Sequence, residues 1–313
     1  MTKVSAGSFL SDFSPKGVVA FFASTAKQES PNPQTVLAPC VGGEKTWDGE
    51  GATNNWSEAA NWTCDQVPAV TDNVKFDATS TKDAIVNVPT VALELQVAAT
   101  YSGTISIANG VSLLIGRSAG NGRQTATQAG GNIICGSGST LTVSRTNFTQ
   151  TGGTLDCSAG AVTTSFATIT MNGGIFNAPS GTLTLSGSTL SIGASGTFNH
   201  NGGTIVSRDD NALLGIPQPL VINNLISESQ TSQNLTDSTV RILGDLTLNS
   251  GGVITGAQRT NWELHGNITV ANGAPTVSRL NTFITIAGTN DQTFINSGGL
   301  NPTATWRINK PGG

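Results

Sequence analysis

Charge is scarce in this chain. Lysine, arginine, aspartate and glutamate make up 11% of its 313 residues, against about a quarter in an ordinary soluble domain. The formal balance is −4, and no basic stripe is visible, so the footprint of a nucleic-acid partner is missing. Two histidines and four cysteines, without metal-ligand spacing, leave no zinc site, and neither metal nor cofactor is expected. No apolar run reaches the roughly 18 residues of a membrane span. No stripe at i, i+3, i+4, i+7 is sustained, which excludes long helices. A phosphate loop is lacking and no Ser-His-Asp set can be placed, so no catalytic residue is assigned.

Glycine is abundant, with 38 residues. β-Branched residues and leucine are spread evenly among the glycines, a pattern of many short strands joined by tight turns. From Val240 onward the chain repeats itself. Val240-Arg241-Ile242-Leu243-Gly244 is followed by Trp262-Glu263-Leu264-His265-Gly266, Ile284-Thr285-Ile286-Ala287-Gly288 and Trp306-Arg307-Ile308-Asn309-Lys310, each 22 residues after the last. Large apolar residues two apart mark a half-buried strand. One such strand per 22 residues marks a solenoid, in which each repeat buries its face only against its neighbours. Core packing is expected for Trp262 and Trp306.

A second series is marked by paired glycines: Gly130-Gly131, Gly152-Gly153, Gly173-Gly174 and, after a longer step, Gly202-Gly203. The second position after each pair is large (Ile133, Leu155, Phe176, Ile205) and the fourth is small (Cys135, Cys157, Ala178, Ser207). Both should point into the coil as stacked columns. Residues 208–238, with Pro217 and Pro219, break the period and read as a loop projecting from one turn. The expected architecture is an all-β parallel solenoid of roughly ten turns over 101–313, its last repeat ending at the C-terminus without a cap.

Before it, residues 1–26 read as an export signal, from the run Val18–Ala23 after Lys16 and the small residues up to Ala26, or as a terminal cap. Residues 27–45 read as a proline-bearing linker, and 46–100 as a tryptophan-rich cap with the first strands. The run Trp47-Asp48-Gly49, Asn55-Trp56-Ser57, Ala60-Asn61-Trp62, Val67-Pro68 and Asp72-Asn73-Val74-Lys75-Phe76 resembles a segment at the start of β-solenoid regions in large secreted bacterial proteins. These include autotransporter-like and filamentous-haemagglutinin-like adhesins. The tail Ile308-Asn309-Lys310-Pro311-Gly312-Gly313 looks like a repeat end from the same proteins. The resemblance covers about a quarter of the chain and implies architecture more than activity.

Cys135 and Cys157 hold equivalent places on adjacent turns, within disulfide reach, or they form a buried column of thiols. Cys40 and Cys64 flank the first tryptophan and could staple the cap. Trp47, Trp56 and Trp62 form either a hydrophobic cap or a stacking platform for sugar rings. Asp209 and Asp210, beside Arg208, are the acidic pair that a carbohydrate-active enzyme would use, and otherwise a solvated turn. Thr140/Thr142, Thr168/Thr170 and Thr182/Thr184 resemble the steps of ice-binding faces. They do not recur at one phase in the sequence, so they read as ordinary strand exteriors.

The chain is therefore expected to be a non-enzymatic structural or adhesive module, secreted or on a bacterial cell surface. Its expected partners are glycans, surface proteins, or copies of itself end to end. Two rival expectations are a polysaccharide lyase or hydrolase and a filament subunit.

Overall fold

A computed structural model describes residues 43–117, 123–215, 219–233, 235, 237–257, 259–271, 282–298 and 304–311. The segment 1–26, most of the 27–45 linker, and Cys40 lie outside them. The described chain is a parallel β-solenoid of three faces, wound in about ten turns of about 22 residues, with almost no helix. The first face is a ten-stranded sheet from Glu44–Thr46 to Val253–Gly256, and the third a ten-stranded sheet from Thr90–Ala92 to Phe294–Asn296. The second face is built from two sheets, six strands from Ala84–Val86 to Thr197–Asn199, then five from Leu220–Ile222 to Thr305–Ile308. Glu44 and Lys45, at the end of the expected linker, open the first strand.

Alternation drives the winding. In Thr140–Ser144 and Thr182–Ser186 the leucines point inward and the threonines outward, and one turn's apolar row can be buried only by the next turn's. The repeat after Val240 is realised residue for residue. Val240 pairs in register with Trp262, Trp262 with Ile284 and Ile284 with Trp306, while Ile242, Leu264, Ile286 and Ile308 form the adjoining row. Trp262 and Leu264 are buried within these columns.

The glycine pairs explain a corner. Gly131, Gly153 and Gly174 all have positive φ (57°, 70° and 76°). A Cβ on Gly153 would lie 2.3 Å from the Gly131 carbonyl oxygen, closer than two turns can tolerate. Buried Gln128 and Gln150 stack behind this corner in register. Each donates its Nε2 to the carbonyls of Gly131 and Thr154, or of Gly153 and Ile175, fastening one turn to the next.

Three expectations need correction. Ile205 does not continue the Ile133–Leu155–Phe176 column. Phe198 does, paired with Phe176, while Ile205 stacks on Leu183 of the third face. Gly202-Gly203 therefore marks a different corner. The described residues of 208–238 are no projecting loop: they include the strands Asn211–Gly215, Leu220–Ile222, Asn224–Ser227 and Gln230–Gln233, which wind with the rest. The period slips because turns here differ in length, Leu190 pairing 23 residues on with Leu213 and Ala212 only 20 on with Ser232. Trp306 keeps the repeat phase but is 38% exposed. Its strand pairs with Phe283–Ile286 on one side, and no other described strand covers it.

Candidate functional site

The tryptophans near the N-terminus close on one another. Trp62 meets Trp47 and Trp56 edge-on, with ring centroids 5.0 and 4.5 Å apart, and Phe76 and Tyr101 extend the cluster. Trp47, Trp56 and Trp62 are all 0% exposed. With no ring face open to solvent they cannot stack on a sugar, so the platform reading is corrected to a hydrophobic cap. The Trp47 indole N–H and the Tyr101 hydroxyl both donate to the Lys82 carbonyl, and the Trp62 indole N–H donates to the Trp56 carbonyl. Burial raises the Tyr101 hydroxyl above the usual tyrosine range.

Two polar residues lock the loop around this cap. Asn61, fully buried, accepts from the Gly51 amide and donates to the carbonyls of Thr53 and Asn55. Lys82 sends its ammonium into a cage of oxygens from Gly49, Gly51, Thr53 and the Asn61 side chain, at 3.0, 2.6, 2.7 and 3.2 Å. Glu58 holds the same loop through the amides of Ala52 and Thr53. The asparagine in the Asn61-Trp62 step of the sequence motif is thus a structural staple.

Cys135 and Cys157 form a disulfide, with Cα atoms 4.5 Å apart, at the end of paired strands of the second face. Cys64 is also disulfide-bonded.

Asp209 and Asp210 lie exposed at the corner between the third and first faces. Asp209 adopts a positive φ of 56° there, as Gly187 (56°) and Phe166 (49°) do one and two turns away. Ser186 donates to Asp209 and Ser229 to Asp210, on opposite sides, and Arg208 pairs with Glu228 at 3.0 Å. These contacts link successive turns at an edge. The recesses described below are lined by other residues.

One charged cluster was missed. On the second face Arg241 grips Glu263 with two hydrogen bonds, and His265 lies 2.7 Å from the same carboxylate. Burial alone would raise Glu263, but the hydrogen bonds and charges of Arg241 and His265 hold it below the usual glutamate range. An ionised, fully paired carboxylate of this kind links turns well and is a poor proton donor. The signal was present in the sequence: Arg241 and Glu263 occupy the same position in successive 22-residue lines.

Two of the recesses lined by described residues are sizeable. One, about 250 Å³, lies on the first face among Glu44, Lys75, Glu94, Gln96, Thr125 and Thr127. The other, about 240 Å³, lies at the break between the two sheets of the second face, against Ile192, Phe198, Leu220 and Val221. No group of histidine, cysteine, aspartate or glutamate able to hold a metal occurs among the described residues. No helix among them is long and apolar enough to cross a membrane.

Register also revises the threonine pattern. Thr140/Thr142 and Thr182/Thr184 share the third face and are bridged by Ala161/Thr163, while Thr168/Thr170 belongs to the first face, beside Asn147/Thr149 and Thr189/Ser191. The steps do recur at one phase, on two faces. Reading them as a single series hid this.

Compared with known proteins, the chain matches no family model, no curated sequence and no solved structure.

Proposed function

We propose that this protein is a secreted or surface-exposed rod, a structural or adhesive module without catalytic activity, that presents its faces to glycans or surface proteins. The observation that carries the reading is the run of rung-to-rung ladders along all three faces, tied across turns by the Cys135–Cys157 disulfide. Ladders of this kind satisfy the backbone along the axis and make a stiff body from few large side chains. Disulfides persist in oxidising compartments and are rare in the cytosol, which supports export. The resemblance of the Trp47–Phe76 run to the opening segments of secreted bacterial solenoids points the same way. The acidic pair Asp209–Asp210, each bound to a serine hydroxyl, is arranged as a corner and supports a structural part over a catalytic one.

The test is an incubation of the purified chain with a panel of plant, fungal and bacterial polysaccharides, read for reducing ends and unsaturated products, beside a glycan array. Binding without turnover is expected. Turnover abolished by Asp209→Asn or Asp210→Asn would overturn the reading in favour of a carbohydrate-active enzyme. Electron microscopy across a concentration series tests the remaining expectation, end-to-end assembly. Filaments would make the protein a subunit and not a stalk.

A further inference from the structure

The third face carries a threonine-rich array with no partner among the described residues. Its outward side chains form two columns. One runs Ser112, Thr140, Ala161, Thr182, Thr204, Asn224, and the other Leu114, Thr142, Thr163, Thr184, Val206, Ile226. The second is paired in register throughout, and the first everywhere but between Ala161 and Thr182, which stand one residue before the paired Val162 and Leu183. Neither column contains a charged or an aromatic residue over these six turns. Charge is confined to the corner, where Arg208 pairs with Glu228. The hydroxyls of Thr140, Thr142, Thr163, Thr182 and Thr184 take no hydrogen bond from the described residues, so their donors and acceptors are left to the solvent side.

From these observations we infer that the third face binds ice. Strand spacing sets the hydroxyls of Thr142, Thr163 and Thr184 roughly 4.8 Å apart along the axis. Those of Thr140/Thr142 and of Thr182/Thr184, two residues along a strand, lie roughly 6.6 Å apart across it, with Ala161 interrupting the first column. A parallel ladder holds both intervals constant, and the Cys135–Cys157 disulfide ties together two of the turns involved. Hexagonal ice repeats along one axis at close to the first spacing, and along the other at a distance somewhat longer than the second. A face of fixed hydroxyls and methyls can therefore hold water in ice-like positions that merge with the crystal, since bridging water costs little once it is ordered.

Charge complementarity selects the partner. An uncharged face suits an uncharged lattice, whereas a polyanion or a basic protein would meet nothing opposite in sign. Crystalline polysaccharide is also uncharged, but its recognition relies on aromatic stacking, and both columns lack aromatics. The first face is the poorer candidate. There Arg123 lies across the array, donating to Asn147 and Thr168, and Lys75 and Glu94 stand at one end. The inference goes beyond the rod reading and stands without it, since purified protein suffices for the test.

The experiment measures thermal hysteresis and ice recrystallisation in the full chain. It adds adsorption of the fluorescently labelled protein to a single ice crystal and, separately, to crystalline cellulose. Hysteresis and ice adsorption are expected in the wild type. Both should be lost in the double variant Thr163→Lys, Thr184→Lys and retained in Thr170→Lys on the first face. Thr163→Tyr provides a second disruption that a strand exterior accepts, and it should also lose ice adsorption. Absence of hysteresis in a wild type with a β-rich circular dichroism spectrum would overturn the inference. So would undiminished activity in folded Thr163→Tyr, or adsorption to cellulose alone.

Discussion

The Lys82 ammonium lies 3.2 Å from the side-chain oxygen of Asn61 and within 3.0 Å of the carbonyls of Gly49, Gly51 and Thr53. A single lysine thereby ties the first coil to a loop some thirty residues earlier. Lys82→Met should leave these acceptors short of a donor and cost about 1–3 kcal/mol, the usual penalty for stranded polar groups. Denaturant unfolding followed by tryptophan fluorescence checks this. Because Trp47, Trp56 and Trp62 are buried, their emission should also shift to the red before global unfolding.

Trp62 sits between Trp47, Trp56 and Phe76 with no exposed surface. Trp62→Ala should cost about 3–5 kcal/mol, as large-to-small changes in cores do. A surface ligand platform would tolerate the same change with stability intact, so the unfolding midpoint separates the two roles.

Reduction of the Cys135–Cys157 bridge, or Cys135→Ser with Cys157→Ser, releases a loop of 22 residues. A loss of about 2–4 kcal/mol is expected from the freed unfolded chain. Thermal melts with and without reductant, compared between wild type and the double variant, give the measurement. Reductant should also act on the bonded Cys64, so the effect at Cys135–Cys157 is the difference between the two proteins.

Acid should weaken the fold in a defined window. Hydrogen bonds from Thr79 and then Lys75 draw the Asp77 carboxyl down to about 2. Asp156 is also lowered: burial alone would raise it, but hydrogen bonds from Ser158 and Asn177 prevail. Glu263 is lowered as described. A carboxyl depressed in the folded state stabilises above its unfolded value, near 4, and that contribution disappears as pH falls through the folded value. The melting temperature should therefore be level above about pH 5 and fall between about 4 and 2. Asp77→Asn should flatten part of that fall.

The fold was legible where each turn repeats at one length. Val240, Trp262, Ile284 and Trp306 are 22 apart and stack as their spacing implied. Reading failed where turns change length. Gly202-Gly203 looks like the earlier pairs, yet the longer step before it carries the pair round to another corner, and Phe198 takes the vacant place in the column. Residues 208–238 looked irregular because prolines and a short turn hide four ordinary strands. The sites were less legible than the fold. A tryptophan motif does not say whether its rings face inward, and that depended on Asn61 and Lys82 folding the loop over them. The threonine array could be seen only once register placed Thr163 between Thr142 and Thr184.

Distances along the third face test the coil most directly. Thr142, Thr163, Thr184, Val206, Ile226, Thr247 and Thr269 form one outward column, each in register with the next. Spin labels at Thr142 and Thr247 are five turns apart, and at Thr142 and Thr269 six. Double electron–electron resonance should return separations of about 24 and 29 Å, rising by one strand spacing for the added turn. Equal separations, or a second distance shorter than the first, would contradict the stacking on which every assignment above depends.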